Sequence, residues 1–367
     1  MPVDLTPEEM AAFRRGEAPT PMLDLIGLMT CHAIGAARTL GVFDALAAGP
    51  LTADELAATV SADPAALEQL LGVLHTTGYV TRQENEQTGG HDDEQAGEQS
   101  PRPGTRPGSG AQLGVRYANT PAAAAWLCSD SPTDYGRILG LWQAIVEERW
   151  TGLADAVRSG KPAGGFYDWL AGRPDLSEAF HALQRGMAEW LADEVVPLVP
   201  LPEGSHSLLD LGGGDGVYAR EFCRATPGLR ATIIDAATAE RTEGPLTWRA
   251  ADLLTCDLPG GQDVTMILNV LHGFAAADAE ALVARAAGTL RPGGLLVVME
   301  SLPQHGGTTA DLAFGAGFSL NLWHTQGGAL HPPEMITGWL RSAGCAPAPW
   351  QQLSRSPSHA VVTATAQ

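Results

Sequence analysis

The chain has 367 residues, 42 acidic against 22 basic side chains, a formal net charge of −20, and 44% hydrophobic residues. That length has room for two domains and a sizeable core, and no apolar run approaches the roughly 18 residues of a membrane span. So strong a negative charge repels phosphate backbones, which argues against nucleic acid as a partner.

The first element in chain order is a helix predicted over Met22 to Gly41 from its apolar spacing. Leu51-Thr52-Ala53-Asp54-Glu55 supplies a capping box that opens the next helix. Pro64 to Thr77 makes a third, with Leu67, Leu70, Leu71 and Leu74 on one face. Tyr79-Val80-Thr81 starts a strand whose partner is Tyr117-Ala118-Asn119-Thr120, so the segment reads as a winged helix. Winged helices can bind DNA, but the third helix and its cap carry Asp63, Glu68, Gln69 and His75 and no arginine or lysine to meet phosphate. Between the wing strands, Gln83 to Gly114 is built from Glu, Gln, Gly, Pro, Ser and Asp. It has too little apolar surface to offset its ordering entropy and is expected to be a disordered insertion.

Long helical patterns follow over Tyr135 to Val157 and Leu176 to Val196, rich in aromatic residues. Trp169 and Trp190 are expected in the core, whereas Trp142, Trp150, Phe180 and Met187 suit either a core or a pocket wall. Leu208 to Leu211 is then a buried strand that enters the turn Gly212-Gly213-Gly214-Asp215-Gly216, and a helix opens at Val217. Adjacent glycines let a nucleoside-bearing ligand approach the main-chain N–H groups of the helix start. Dinucleotide-binding domains use a similar turn, but they want a glycine or alanine where Val217 stands. Leu229 to Ile234 is a short strand ending at Asp235, Asp252 follows a further segment, and Val264 to His272 reads as another strand. Ala276 to Leu290 is helical, Arg291-Pro292-Gly293-Gly294 breaks it, and Leu295 to Glu300 is the next strand.

That order resembles the class I S-adenosylmethionine-dependent methyltransferases, and more narrowly the dimeric small-molecule O-methyltransferases of the plant caffeic-acid and bacterial natural-product tailoring types. The resemblance spans Leu23 to Thr81 and Tyr117 to Thr363. It implies an α/β fold, a Rossmann-like seven-stranded sheet with an N-terminal, mainly helical winged-helix dimerisation domain. The expected division is 1–120 for dimerisation, 121–200 for a linker with acceptor-pocket helices, and 201–367 for the methyltransferase domain. It also implies S-adenosyl-L-methionine as cofactor, held by Asp210, Gly212, Gly214, Asp235 and Asn269, with Asp252 and Leu253 beside the adenine. A homodimer is implied too, with the helix Met22 to Leu40 as its contact.

Methyl transfer from a sulfonium mainly requires the acceptor to be positioned and its proton removed. A phenol, with a pKa near ~10, is mostly protonated at neutral pH, so a base helps. The resemblance assigns that task to His272 and its orientation to Glu300. The family follows this histidine with an acid and a tryptophan, where this chain has Gly273 and Phe274, and a second orienting acid is replaced by Leu330. Trp142, Trp150, Phe180, Met187, Trp323 and His324 are expected around the acceptor. The departures leave two alternatives. His272 and His324 would hold iron or zinc for C-methylation of an α-keto acid, with Asp311 as a further oxygen donor. Alternatively, the fold would bind the methyl donor yet catalyse another reaction.

The five cysteines, Cys31, Cys128, Cys223, Cys256 and Cys345, are scattered, odd in number and without CxxC spacing. They read as free thiols rather than a disulfide framework or zinc knuckle. With no apolar signal core in residues 1–16, a cytoplasmic protein with no membrane partner is expected.

Overall fold

Side-chain caps set several helix starts in the first of two compact units, residues 1–144. The computed structural model describes residues 5–84, 115–131, 134–303 and 308–367. From residue 85 onward, the insertion expected at 83–114 lies outside the described residues. The first unit comprises α1 (Pro7–Arg14), α2 (Pro21–Leu40), α3 (Val42–Ala47), α4 (Ala53–Val60), α5 (Pro64–Thr76), β1 (Val80–Glu84), β2 (Val115–Asn119), α6 (Pro121–Trp126) and most of α7 (Gly136–Arg149). Thr52 and Glu55 form the expected capping box of α4, and the Asp63 carboxylate accepts from the Ala66 N–H to start α5. β1 and β2 pair antiparallel, Val80 opposite Asn119, as the wing requires. Ile34, Phe43, Leu56, Leu67, Leu71 and Leu74 form the unit's core. On α2 this leaves Met22, Leu25, Leu28 and Met29 between 44% and 54% exposed.

The second unit, residues 145–367, holds α8 (Leu153–Ser159), α9 (Phe166–Ala171), α10 (Pro174–Leu198), β3 (Ser207–Leu211), α11 (Val217–Ala225), β4 (Arg230–Asp235), β5 (Arg241–Glu243), β6 (Leu246–Ala250) and β7 (Gln262–Leu268). It continues with α12 (Ala276–Ala287), β8 (Leu290–Ser301), α13 (Thr309–Gln326), α14 (Pro333–Ser342), β9 (Cys345–Pro347), β10 (Gln351–Gln352) and β11 (His359–Ala366). Nine strands form one sheet in the order β10-β11-β8-β7-β3-β4-β6-β5, with β9 also on β11. The five strands β8, β7, β3, β4 and β6 run parallel, and β11 returns antiparallel on β8. Seven strands are expected; the short β5 and β10 extend the two edges. Apolar clusters cover both faces, one built on Leu191, Val195 and Phe222 of α10 and α11, the other on Leu282, Val283 and Leu340 of α12 and α14. No helix among the described residues is long and apolar enough to cross a membrane.

Three elements differ from the sequence reading. The long helix predicted over Tyr135 to Val157 is two helices, because α7 stops at Arg149 and α8 begins at Leu153 after Thr151-Gly152. A β-branched residue followed by glycine is a poor continuation. The strand predicted over Val264 to His272 ends at Leu268; Asn269 takes φ +59° and Leu271–Gly273 is a 3-10 turn. Gly288 already caps α12, so Pro292-Gly293-Gly294 does not break a helix but lies within β8, where pairing with β7 shifts register between Gln262 and Val264. These ends matter, because the parallel strands deliver Gly212, Asp235, Asn269 and Glu300 to the carboxyl edge of the sheet, the edge where ligands bind in open α/β folds.

Candidate active site

The turn after β3 has Gly212 at φ +75° and Gly214 at φ +51°. A Cβ at Gly212 would also lie 2.5 Å from Val270 Cγ2, so the position excludes side chains twice over. The Gly214 N–H donates to Asp235 Oδ2 at 3.0 Å, and the Ala237 N–H donates to Asp235 Oδ1 at 2.8 Å. Beneath the turn, Asp210 is 1% exposed and its Oδ2 has no hydrogen-bond partner. Burial, with the negative charge of Asp235 second, raises its pKa to about 7. A side chain on Gly213 would collide with this carboxyl group. Asn269 Oδ1 is likewise buried without a partner. Two orphaned oxygens beside a turn that admits no side chain fit a ligand rich in N–H and O–H donors, such as the ammonium and ribose of S-adenosylmethionine.

The remaining residues expected here play more local parts. Asp252 caps a turn, accepting from the Leu254 N–H at 2.9 Å and the Thr255 hydroxyl at 3.1 Å. Leu253 is 7% exposed and packs in the cluster that includes α12. Tyr167, which the sequence reading missed, is 57% exposed, yet crowding and the charge of Asp235 raise its pKa. No local pattern marks it, because an aromatic residue on a short helix ordinarily reads as core.

At the end of β8, Glu300 is 2% exposed and its Oε1 accepts from the Val270 N–H at 2.8 Å and the Leu271 N–H at 2.6 Å. Its Oε2 stands 2.6 Å from His272 Nδ1. A carboxylate already accepting two N–H groups makes Nδ1 the protonated nitrogen, leaving the Nε2 lone pair available. The histidine's turn is fixed from below by buried His331, whose Nε2–H is shared between the Leu271 and Phe274 carbonyls at 3.1 Å each. Gly273 stands where an acid is expected, and a Cβ there would meet Gln326 Oε1 at 3.4 Å. Phe318 lies 6.0 Å from the His272 ring and stacks nearly parallel on Phe314 at 6.1 Å. Both phenylalanines were missed; their i, i+4 spacing after the Thr308–Asp311 capping box was the available signal.

The expected acceptor residues are divided between the units. Trp142 stands on α7 in the first, and the others stand in the second. Trp150 Nε1–H donates to Asn321 Oδ1 at 3.0 Å. Phe180 packs against Phe166 and Tyr167, with ring centroids at 5.4 and 6.3 Å. Met187 is 36% exposed, and Trp190, expected in the core, is 52% exposed on the same helix, whereas Trp169 is buried. The stretch Asn321 to Gly328 forms the C-terminal turns of α13 and its Gly327 cap. Trp323 neighbours His324 at 6.1 Å between ring centroids. His324 is fully buried, and its Nε2–H donates to the Arg149 carbonyl at 2.7 Å. Asp311, considered as an oxygen donor to a metal, spends its carboxylate capping α13. Among the described residues no group of three or more His, Cys, Asp or Glu side chains is placed to hold a metal ion, and the metal-assisted alternative gains no support.

Residues 150–346 match the O-methyltransferase domain model, and residues 23–100 match the O-methyltransferase dimerisation domain model. The first match covers more than half of the chain, so the chain belongs to the O-methyltransferase family. It is an S-adenosylmethionine-dependent methyltransferase. It is 28% identical to mouse (Mus musculus) acetylserotonin O-methyltransferase over 78% of this chain and 73% of the relative. It is 26% identical to 3-hydroxy-5-methyl-1-naphthoate 3-O-methyltransferase from Streptomyces sahachiroi over 89% of each chain. Among solved structures, TnmH superposes with a TM-score of 0.72 at 26% identity, covering 95% of this chain and 98% of its own.

Proposed function

We propose that this enzyme methylates a phenolic hydroxyl on a flat, small natural-product acceptor, with His272 as general base and Glu300 orienting it. The observation that carries the reading is the His272–Glu300 pair: a carboxylate fixed by two backbone N–H groups and 2.6 Å from Nδ1. Such an arrangement makes Nδ1 the donor of the neutral imidazole and Nε2 the acceptor for a phenol proton. The parallel rings of Phe314 and Phe318 beside that histidine suit an aromatic acceptor better than an aliphatic one. When bound, S-adenosylmethionine supplies an electrophilic methyl group already activated by its sulfonium charge. The turn Gly212 to Gly214 with Asp210, Asp235 and Asn269 would hold its polar ends, and Asp252 and Leu253 would border its adenine. Trp150, Phe180, Met187, Trp323 and His324 would wall the acceptor region of this unit. The relatives' names support a ring-bearing acceptor, since one acts on a hydroxynaphthoate and another, from Streptomyces cremeus, on 3-amino-4-hydroxybenzoate.

The same reading makes the enzyme a homodimer joined through the exposed apolar face of α2. The dimerisation-domain match and the exposure of Met22, Leu25 and Met29 support that assembly. All five cysteines are unpaired, which suits the cytoplasm. The test is to incubate the enzyme with S-adenosylmethionine and a panel of hydroxynaphthoates, hydroxybenzoates and aliphatic alcohols, following S-adenosylhomocysteine and product mass together. Products one methylene heavier, with the methyl on oxygen and only from the phenols, are expected. Product formed without donor consumption would reassign the fold to another reaction, and a methyl on carbon would remove the phenolate mechanism.

A further inference from the structure

The glycine turn has a second support that the proposed function does not use. The Gly214 carbonyl accepts from the indole Nε1–H of Trp248 at 3.0 Å, while the N–H of the same residue donates to Asp235. Trp248 lies on β6, in register with Ile233 of β4 on one side and Arg241 of β5 on the other, and is 1% exposed. Its indole lies against the end of the turn so closely that a Cβ on Gly216 would come 2.9 Å from Cζ2. The Arg241 guanidinium covers the ring at 3.8 Å from its centroid. Arg241 is itself held by the Thr238 hydroxyl at 3.1 Å and Glu243 at 3.2 Å. These contacts close a circuit. From Asp235 the chain loops through Thr238 to Arg241, the arginine stacks on Trp248, Trp248 holds Gly214, and Gly214 returns to the Asp235 carboxylate.

A turn of adjacent glycines is conformationally loose, and a peptide that flips would turn the Gly214 N–H away from Asp235. The Gly214 N–H belongs to the peptide before the residue and its carbonyl to the peptide after it, so Asp235 and Trp248 together hold both planes, and the flat indole blocks movement at Gly216. We infer that Trp248 is a positioning residue for methyl-donor binding: it acts through Gly214 to aim the Asp235 carboxylate, and the Arg241 stack keeps the indole in place. This rests on the reading that the turn and Asp235 hold the donor. Trp248 need not touch the ligand at all.

The experiment is calorimetric titration of S-adenosylhomocysteine into wild type, Trp248→Phe, Asp235→Ala, the double variant and Arg241→Leu. Phenylalanine keeps an aromatic ring but removes the N–H, so binding is expected to weaken by about tenfold, the scale of one hydrogen bond. If Trp248 acts through Asp235, the double variant binds no more than about twofold more weakly than Asp235→Ala, a non-additivity that a purely structural role would not produce. Arg241→Leu, a half-exposed site that keeps the fold within reach if Trp248→Phe does not, is expected to weaken binding about threefold through loss of the stack. Steady-state rates should show the Trp248→Phe loss mainly in the donor KM rather than in kcat. Full additivity of the two losses, or wild-type affinity in Trp248→Phe, overturns the inference. Wild-type affinity in Arg241→Leu removes the arginine from the circuit. Failure of the wild type itself to bind S-adenosylhomocysteine would instead sink the underlying assignment of the turn.

Discussion

The two units differ in what they leave unmet: an exposed apolar stripe on α2 in the first, buried unpaired oxygens beside the glycine turn in the second. In the first, α2 presents Met22, Leu25, Leu28 and Met29 to solvent although the unit already has a closed core around Phe43 and Leu71. In the second, both faces of the sheet are covered by apolar clusters, and at the sheet's carboxyl edge two buried oxygens, Asp210 Oδ2 and Asn269 Oδ1, lack a partner. Unmet apolar area calls for another protein surface, since burying it recovers hydrophobic stabilisation over a broad patch. Unmet buried acceptors call for a small ligand with donors at fixed points. Assembly and chemistry are therefore to be tested on different units.

The sharpest way to break this division is at the reacting end of the second unit. His272→Ala is expected to lower kcat by about 10²-fold or more while S-adenosylhomocysteine affinity, measured by calorimetry, changes little, because the histidine stands on Glu300 rather than on the glycine turn. Glu300→Gln should cost less, about tenfold, since Nδ1 loses its charged partner but the base remains. An unaltered rate in His272→Ala would take the polar region's chemistry away from this residue and leave the pair as a structural tie.

A smaller effect is expected in the first unit. Leu25→Glu with Met29→Glu places two carboxylates on the exposed stripe of α2, where neither side chain is needed for the monomer core. Buried at a self-association surface, each charge would lack a partner, so the dimer should weaken by about tenfold or more without loss of helicity. Sedimentation over a concentration series, with circular dichroism of the same samples, measures both. A dimer as tight as wild type would mean that another surface joins the copies.

What the sequence revealed follows the same line. Capping at Thr52–Glu55, the wing strands and the glycine turn were readable because each depends on neighbours in sequence. His272 and Glu300 could be paired because Glu300 ends β8 and His272 follows the neighbouring parallel β7 by one short turn, which puts both at one edge. Three things were hidden because tertiary contacts decide them. The apolar run into Val270 gave no sign that Asn269, not glycine, would leave the strand in a left-handed conformation. Trp190 sits within an apolar helical pattern yet is half exposed. Trp248 reads as one more strand hydrophobe, and only the fold brings its N–H to Gly214.

The smallest expected effect tests whether the polar deficit costs stability before any ligand arrives. Burial and Asp235 raise the Asp210 pKa from an ordinary 3.8 to about 7, so the folded protein holds this proton where the unfolded chain has lost it. The sign follows: the contribution favours folding fully below about pH 4 and is lost as pH rises toward 7. Between pH 5 and 8 the loss should be at most about 2 kcal/mol, at 1.36 kcal/mol per pKa unit and after allowance for relaxation of a buried site. Asp210→Asn cannot ionise, so its melting temperature relative to wild type should move upward by a few degrees over that interval in ligand-free protein. Because S-adenosylmethionine carries positive charge and its product S-adenosylhomocysteine lacks the sulfonium, saturating the wild type with donor should narrow the difference more than saturating it with product. A gap between variant and wild type that stays constant from pH 5 to 8 would show that Asp210 has found a partner in solution.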